Sequence, residues 1–336
     1  MASFNQFGND LYTGKRSFDI VGRRRIWFII AGVLVAIAIV LPIARQSWTF
    51  GLDFVGGSQF EIAKVASTDQ TLAGNTVTSV VPDANPRVST VGTDSIRIQT
   101  NTVTSTESTE IQQALASAFH VEQQDVSASF VGPSWGADVT SAAIRALVIF
   151  LALVIVVMAL YFRTWKMSIA AVIALLHDLI LTAGVYGVFG IEVTPDAVIG
   201  FLTILGYSLY DTVVVFDKIR ENTREDGESS TRTFAESVNM AVNQTLVRSI
   251  NTSVVALLPV ASILFIGSAF LGAGTLRDIA LALFIGILAG TYSTIFIAAP
   301  LYALLREGEP ENKRKAKRIL AQRQSSAASA EVVAAE

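Results

Sequence analysis

Gly206-Tyr207-Ser208-Leu209-Tyr210-Asp211-Thr212-Val213-Val214-Val215-Phe216-Asp217, running on into Lys218-Ile219-Arg220-Glu221-Asn222, decides how this chain reads. It closes an apolar run that begins near Ala197, so Asp211 falls inside a hydrophobic segment. A carboxylate at the centre of a membrane helix costs about 2.5–3.5 kcal/mol on insertion scales, and less toward the ends. Such a residue faces a protein interior or a watery cavity rather than lipid. Asp217 is followed at once by Lys218 and Arg220, as where a helix emerges into water. Six residues of helix rise about 9 Å, so the two acids differ in depth. Asp211 is the candidate working group and Asp217 its solvated neighbour.

Composition agrees with a membrane reading. Hydrophobic residues make up 51% of the chain and charged ones 16%, with a mean hydropathy of +0.51; this is a multispanning protein. The net charge of −3 gives no argument for nucleic acid, which is not expected as a partner. Without cysteine there is no disulfide, thiolate metal site or thiol nucleophile. His120 and His177 are the only histidines and lie far apart, so neither a metal site nor a cofactor is expected. No phosphate-binding loop or soluble catalytic domain is evident, and the chain does not read as an enzyme. Any energy it uses must come from a membrane gradient or a partner.

Residues 1–25 are polar and end in Arg23-Arg24-Arg25; residues 26–44 form an uncharged run long enough to cross about 30 Å of hydrocarbon. Ala44-Arg45-Gln46 is a poor cleavage site, so this reads as an uncleaved first span. Five more spans are expected at 143–162, 167–191, 195–217, 249–271 and 276–305. Between the first two, residues 45–142 form a soluble insertion. Its alternation predicts strands at Ser58–Val65, Arg87–Val91, Ser95–Thr100 and Val126–Val131, with Gly92-Thr93-Asp94 as a hairpin turn. Helical stretches at Asp69–Val80 and Glu107–Phe119 complete the order β-α-β-β-α-β of a ferredoxin-like α+β domain. The insertion is acidic, which is the ordinary composition of a solvated surface. The fold class is thus a polytopic α-helical membrane protein with six transmembrane helices and a ferredoxin-like extracytoplasmic domain between the first and second.

Orientation follows from the basic residues. Arg163 and Lys166, the 218–248 loop with Lys218, Arg220, Arg224, Arg232 and Arg248, and the residues from Arg306 to Arg318 all alternate onto the side of Arg23–Arg25. The positive-inside bias then puts both termini in the cytoplasm. The tail, 306–336, is charged and then Ala/Ser-rich and is expected to be disordered. Its basic stretch is in reach of anionic membrane lipid or ribosomal RNA, though it needs no role beyond fixing topology.

Three polar constellations lie in the apolar segments. Asp211 has Ser208 at i−3 and Thr212 beside it. Arg248, within Asn243-Gln244-Thr245-Leu246-Val247-Arg248-Ser249-Ile250-Asn251-Thr252-Ser253, opens the fifth span and is expected at the depth of Asp211 on an antiparallel helix. His177-Asp178 sits in the third span, where adjacent residues point about 100° apart, so one is expected to face the interior and the other a neighbouring helix. Burial favours a neutral carboxyl and a nearby guanidinium favours the carboxylate. Movement of Arg248 against Asp211 would therefore bind and release a proton. One proton crossing 100 mV supplies about 2.3 kcal/mol.

The quoted stretch, the Asn243–Arg248 and Ile250–Ser253 segments, and Gly51-Leu52-Asp53-Phe54-Val55-Gly56-Gly57 after the first span together resemble the SecF family of the Sec secretion machinery, within the wider RND superfamily. The likeness covers roughly Arg16 to Arg306. It implies a bacterial cell-membrane protein with SecD as partner, acting at the SecYEG channel, with other Sec accessory subunits, on unfolded preprotein. It also implies that the proton gradient drives the work, with sodium as an alternative ion, and that Asp211 and Arg248 are the coupling residues. Ser208, Thr212, His177, Asp178, Asn243, Gln244 and Asn251 would support them inside the membrane. Gly51, Asp53, Gly56 and Gly57 would form the motif at the membrane exit, where glycine allows close or positive-φ backbone. Tyr210 departs from the asparagine seen before this aspartate in many relatives. Two other classes fit the same residues: half of an RND-type exporter of a small molecule or lipid, and a passive translocon scaffold.

Overall fold

A computed structural model describes residues 4–91, 94–162, 164–225, 231–267 and 274–334. Six helices are long and apolar enough to cross a membrane: Arg24–Arg45, Ser134–Phe162, Trp165–Phe189, Pro195–Arg224, Phe234–Gly267 and Leu276–Glu307. Their outer faces carry large bare side chains such as Ile29, Leu160 and Val255, and no backbone group on such a face lacks water without cost unless the helix satisfies it. The third, fourth and sixth spans form the interior, while the first, second and fifth are mostly exposed. The inner contacts are made by small residues: a Cβ on Gly184 would collide with Ala38 of the first span. Small residues let backbones approach where burial of oily side chains gains nothing over lipid.

Several bounds differ from the sequence reading. The second membrane helix begins at Pro133, and the fourth continues to Glu225, while the fifth begins at Phe234. The expected 218–248 loop is therefore mostly helix, because its polar residues extend the flanking spans into water rather than break them. Thr233 caps the fifth helix, its hydroxyl on the Glu236 N–H and the Glu236 carboxylate on the Thr233 N–H. Helical turns widen at Ser262–Gly267, after Pro259, and at Thr294–Ala298. The tail, expected to be disordered, is a helix over Pro310–Ala334; its Lys, Arg, Gln and Ala residues are strong helix formers behind a proline at the first position. Arg163, Gly92, Thr93 and 268–271, named above, lie outside the described residues.

The inserted domain comprises β2 (Gly57–Ile62), a helix over Gln70–Val80, β3 (Arg87–Val91), β4 (Ser95–Thr100), a helix over Ser105–Phe119 and β5 (Val126–Val131), after the short β1 (Thr49–Phe50). The sheet is antiparallel in the order β3-β4-β2-β5. Alternation puts Phe60, Ile62, Ile96 and Ile98 on one face, where Ile111, Leu115, Ala73 and Val77 of the helices cover them completely. Each such aliphatic contributes about 1.5–3 kcal/mol. The domain is moored to the bundle by β1, which pairs in parallel with β6 (Glu192–Val193) between the third and fourth spans. Gln99 of β4 also donates to Glu192 at 2.8 Å.

Candidate functional site

The polar interior is built around two carboxylates on neighbouring spans. Asp178 has no exposed surface. Its Oδ2 accepts hydrogen bonds from Ser208 Oγ at 2.6 Å and Ser293 Oγ at 2.8 Å, and its Oδ1 lies 3.2 Å from His177 Nδ1. Gly290 makes the approach possible, since a Cβ there would stand 3.1 Å from Ser208 Oγ. The expected divergence of His177 and Asp178 is not what the structure has: both are buried and their side chains meet. Their Cβ atoms leave the helix in different directions, but rotation about the side-chain bonds closes the gap. His177 Nε2 is buried without a partner among the described residues.

Asp211 is 5% exposed. Ser249 of the fifth span donates to its Oδ1 at 2.8 Å, while Oδ2 is buried with no hydrogen-bond partner among the described residues. Further hydroxyls lie close by on the fifth, fourth and sixth spans. Ser253 donates to the Ser249 carbonyl at 2.9 Å and lies 2.6 Å from Thr291 Oγ1 in the sixth span. Thr212 meets Thr294 at 3.0 Å, where the sixth helix widens into its π-type turn. Such turns often mark functional sites because they displace the helix's own hydrogen bonds.

The other expected site residues scatter. Ser208, read as serving Asp211, serves Asp178 instead. Arg248 is exposed and forms no ion pair with Asp211 within 4 Å among the described residues; the adjacent Ser249 faces inward in its place. Asn251, Tyr210 and Asp217 are exposed. Asn243 and Gln244 do not join the interior network. Asn243 takes the Phe18 N–H at 2.7 Å and donates to the Phe18 carbonyl at 2.9 Å; Gln244 donates to the Tyr12 carbonyl and accepts from Asn222. In the motif expected at the membrane exit, Asp53 lies in a helical turn over Leu52–Val55, and the Gly51 N–H bonds the Val193 carbonyl. Gly56 and Gly57 have φ of 76° and 145°, and a Cβ on Gly57 would strike Leu52 and the Thr100 carbonyl. They turn the chain from that helical turn into β2. Ser249, Ser293, Thr291 and Thr294 were missed; the signal available was hydroxyls inside apolar runs, Ser249 and Ser253 at a spacing of four. No group of three or more His, Asp and Glu side chains among the described residues could hold a metal ion.

Fold and site together define a six-span membrane protein with an α+β domain after the first span and two buried acids in its bundle. Comparison with known proteins makes this particular. Residues 110–308 match the family model described as protein export membrane protein SecD/SecF, C-terminal. The chain is 44% identical over 333 residues to protein translocase subunit SecF of Streptomyces coelicolor, covering 98% of this chain and 88% of that one. It is 42% identical over 335 residues to the same subunit of Mycobacterium tuberculosis H37Rv, covering 96% and 74%. The crystal structure of SecDF, a translocon-associated membrane protein from Thermus thermophilus, superposes with a TM-score of 0.75 at 28% identity, over 87% of this chain and 39% of that longer one. This chain belongs to the SecD/SecF family of protein export membrane proteins.

Proposed function

We propose that the chain is a subunit of the Sec protein-export machinery which, paired with a SecD-type chain, uses the proton gradient to help preproteins across and off the far side of the SecYEG channel. The observation that carries the coupling step is Asp211, buried in the bundle with one oxygen on Ser249 and the other unpartnered. Support for the partner comes from a Thermus thermophilus relative named SecDF, 38% identical over 186 residues, of which this chain matches 23%. The positive-inside bias of the basic loop ends supports both termini in the cytoplasm and the inserted domain, read as ferredoxin-like, outside. Proton uptake at Asp211, on the unpartnered Oδ2, removes a buried charge and gives that oxygen an O–H to donate, while Oδ1 still accepts from Ser249. About 2.3 kcal/mol per proton at 100 mV shifts a two-state arrangement of spans about fiftyfold. Arg248, one position before Ser249, is the cation that answers the change.

The test is gradient-dependent completion of preprotein translocation in inverted vesicles after ATP is removed. Asp211→Asn keeps the size and the acceptor for Ser249 but cannot cycle a proton, so it should lose the gradient-dependent phase. Running proton and sodium gradients separately identifies the ion. Wild-type activity of Asp211→Asn at equal membrane abundance would leave a passive scaffold.

A further inference from the structure

One ring nitrogen buried in the bundle has no bond: Nε2 of His177 has no hydrogen-bond partner among the described residues. His177 and Asp178 are both buried in the third span, with Nδ1 3.2 Å from Asp178 Oδ1. Ser208 and Ser293 donate to Oδ2, so among the described residues the imidazole is what Oδ1 has. Facing a carboxylate, a neutral ring carries its proton on Nδ1 and leaves Nε2 a bare acceptor. The same ring meets Tyr292 of the sixth span, with centroids 6.0 Å apart and planes tilted by 33°. Tyr292 is held in place by its hydroxyl, which donates to the Trp27 carbonyl of the first span at 3.1 Å, and by the Phe296 ring at 5.3 Å.

From this we infer that His177 is a second proton-binding group of the bundle, taking its proton at Nε2 while Nδ1–H stays on Asp178. A buried carboxylate persists where it is hydrogen-bonded and paired with an opposite charge. The serines supply hydrogen bonds, and His177 is the one group within 4 Å of Asp178, among the described residues, that can supply the charge. An imidazolium here also touches an aromatic ring, which draws a cation within about 6 Å of its centroid. The elements packed against the third span bring no competing charge. The first is uncharged from Ile26 to Ala44 and the second from Ala146 to Phe162. Tyr207 and Asp211 of the fourth are bonded to Ser253 and Ser249 of the fifth, and the sixth faces the ring with Tyr292. Uptake at Nε2 turns a bare acceptor into an N–H with no acceptor in this arrangement. A buried donor without a partner is unfavourable, so the proton favours a shift of the spans that supplies one. Ser208 links this to the other acid, since it holds Asp178 and lies one helical turn before Asp211. Use of the proton in export rests on the function proposed above; its binding does not.

The experiment is imidazole nitrogen NMR of the full chain, isotope-labelled at histidine, in mild detergent across a pH titration. His120 and His177 are the only histidines, so His120→Gln assigns the signals. In base, His177 should show one protonated and one bare nitrogen. On acidification both should become protonated, within the range of about pH 5–8 where histidine changes charge. Asp178→Asn keeps an acceptor for the serines but not the charge. It should weaken proton binding at His177 at least about tenfold, the scale of one hydrogen bond to a charged group. Tyr292→Leu should weaken it by about two- to thirtyfold, whereas Tyr292→Phe, which keeps the ring, should stay within about twofold of wild type. In the vesicle assay, His177→Gln should flatten the pH dependence of the gradient-driven phase over the same range. A ring that stays neutral down to about pH 5 overturns the proposal. So does equal proton binding in wild type and Asp178→Asn or, where that variant does not fold, in the two Tyr292 variants. A wild-type pH profile from His177→Gln, when Asp211→Asn has lost the gradient-driven phase, overturns it too. Wild-type export by Asp211→Asn with the His177 titration as expected would instead sink the coupling at Asp211 and keep proton binding at His177.

Discussion

Asp178 and Asp211 are both buried acids, yet their surroundings divide the labour between them. Asp178 has two serine hydroxyls and a histidine nitrogen around it, whereas Asp211 has one hydroxyl. The first is a structural node. Asp178→Ala strips the acceptor from Ser208 and leaves Ser293 only the Gly290 carbonyl at 3.2 Å, and a buried orphan costs about 1–3 kcal/mol. Asp178→Asn keeps an acceptor oxygen for the serines and turns its NH2 to His177. Melting of the detergent-solubilised protein should therefore drop several degrees for the alanine variant and much less for asparagine; equal melting of both would dismiss the node. Asp217 is exposed beside the Lys218–Glu221 pair. Asp217→Asn should be nearly silent in export, since an exposed ion pair is worth at most about 1 kcal/mol. Gly57→Ala meets a different obstacle, a positive φ with the Thr100 carbonyl in the way.

Among the elements, the N-terminal segment and the tail are held by side chains of the spans. Asn239 accepts the N–H groups of Ile20 and Val21 and donates to the Phe18 carbonyl, while Asn243 bonds both the N–H and the carbonyl of Phe18. Two side-chain amides thus do what a neighbouring strand would do, and they seat Ile20 and Val21 in the core. Asn243→Leu should free this segment, read as faster proteolysis near Thr13–Ser17 with the spans intact; an unchanged digestion pattern would count against the clamp. At the other end, burial works against the Glu309 carboxylate, but the hydrogen bonds from Lys166 and Arg306 outweigh it and hold it below its ordinary 4.5. A depressed folded value gives stability that is present above pH 4.5 and lost as pH falls through the lower, folded value. Hydrogen exchange of the Pro310–Ala334 helix should rise in acid over that interval, and Glu309→Gln should flatten the rise. A wild-type profile from the glutamine variant would assign the acid effect elsewhere.

For the whole molecule, the domain and the bundle are separable because each buries its own core. Gly57 and Val131 face each other as paired residues of β2 and β5, so residues 58–131 can be replaced by a short flexible linker without stretching the chain. The basic residues that flank the later spans lie outside the deleted segment, so the six spans should insert at normal abundance. Release of secreted proteins should fall to the level seen without the chain. Normal release from cells carrying the deletion would remove the domain from the mechanism.

The sequence by itself determined the number of spans, the place of the inserted domain and the burial of Asp211 inside an apolar run. These are local facts, since hydrocarbon demands a long apolar run for each crossing and makes an acid inside one conspicuous. The strands of the domain were legible for a similar reason: alternation over a few residues fixes the face each side chain takes. The order β-α-β-β-α-β emerged from that alternation together with the helical stretches read between the strands. Only the tertiary structure decided which hydroxyl meets which acid. Ser208 and Ser293 reach Asp178 from 30 and 115 residues away, and Ser249 reaches Asp211 from 38. Those meetings depend on how each helix is rotated about its axis. One residue of rotation is about 100°, enough to bring Ser249 to the carboxylate and leave Arg248 outside.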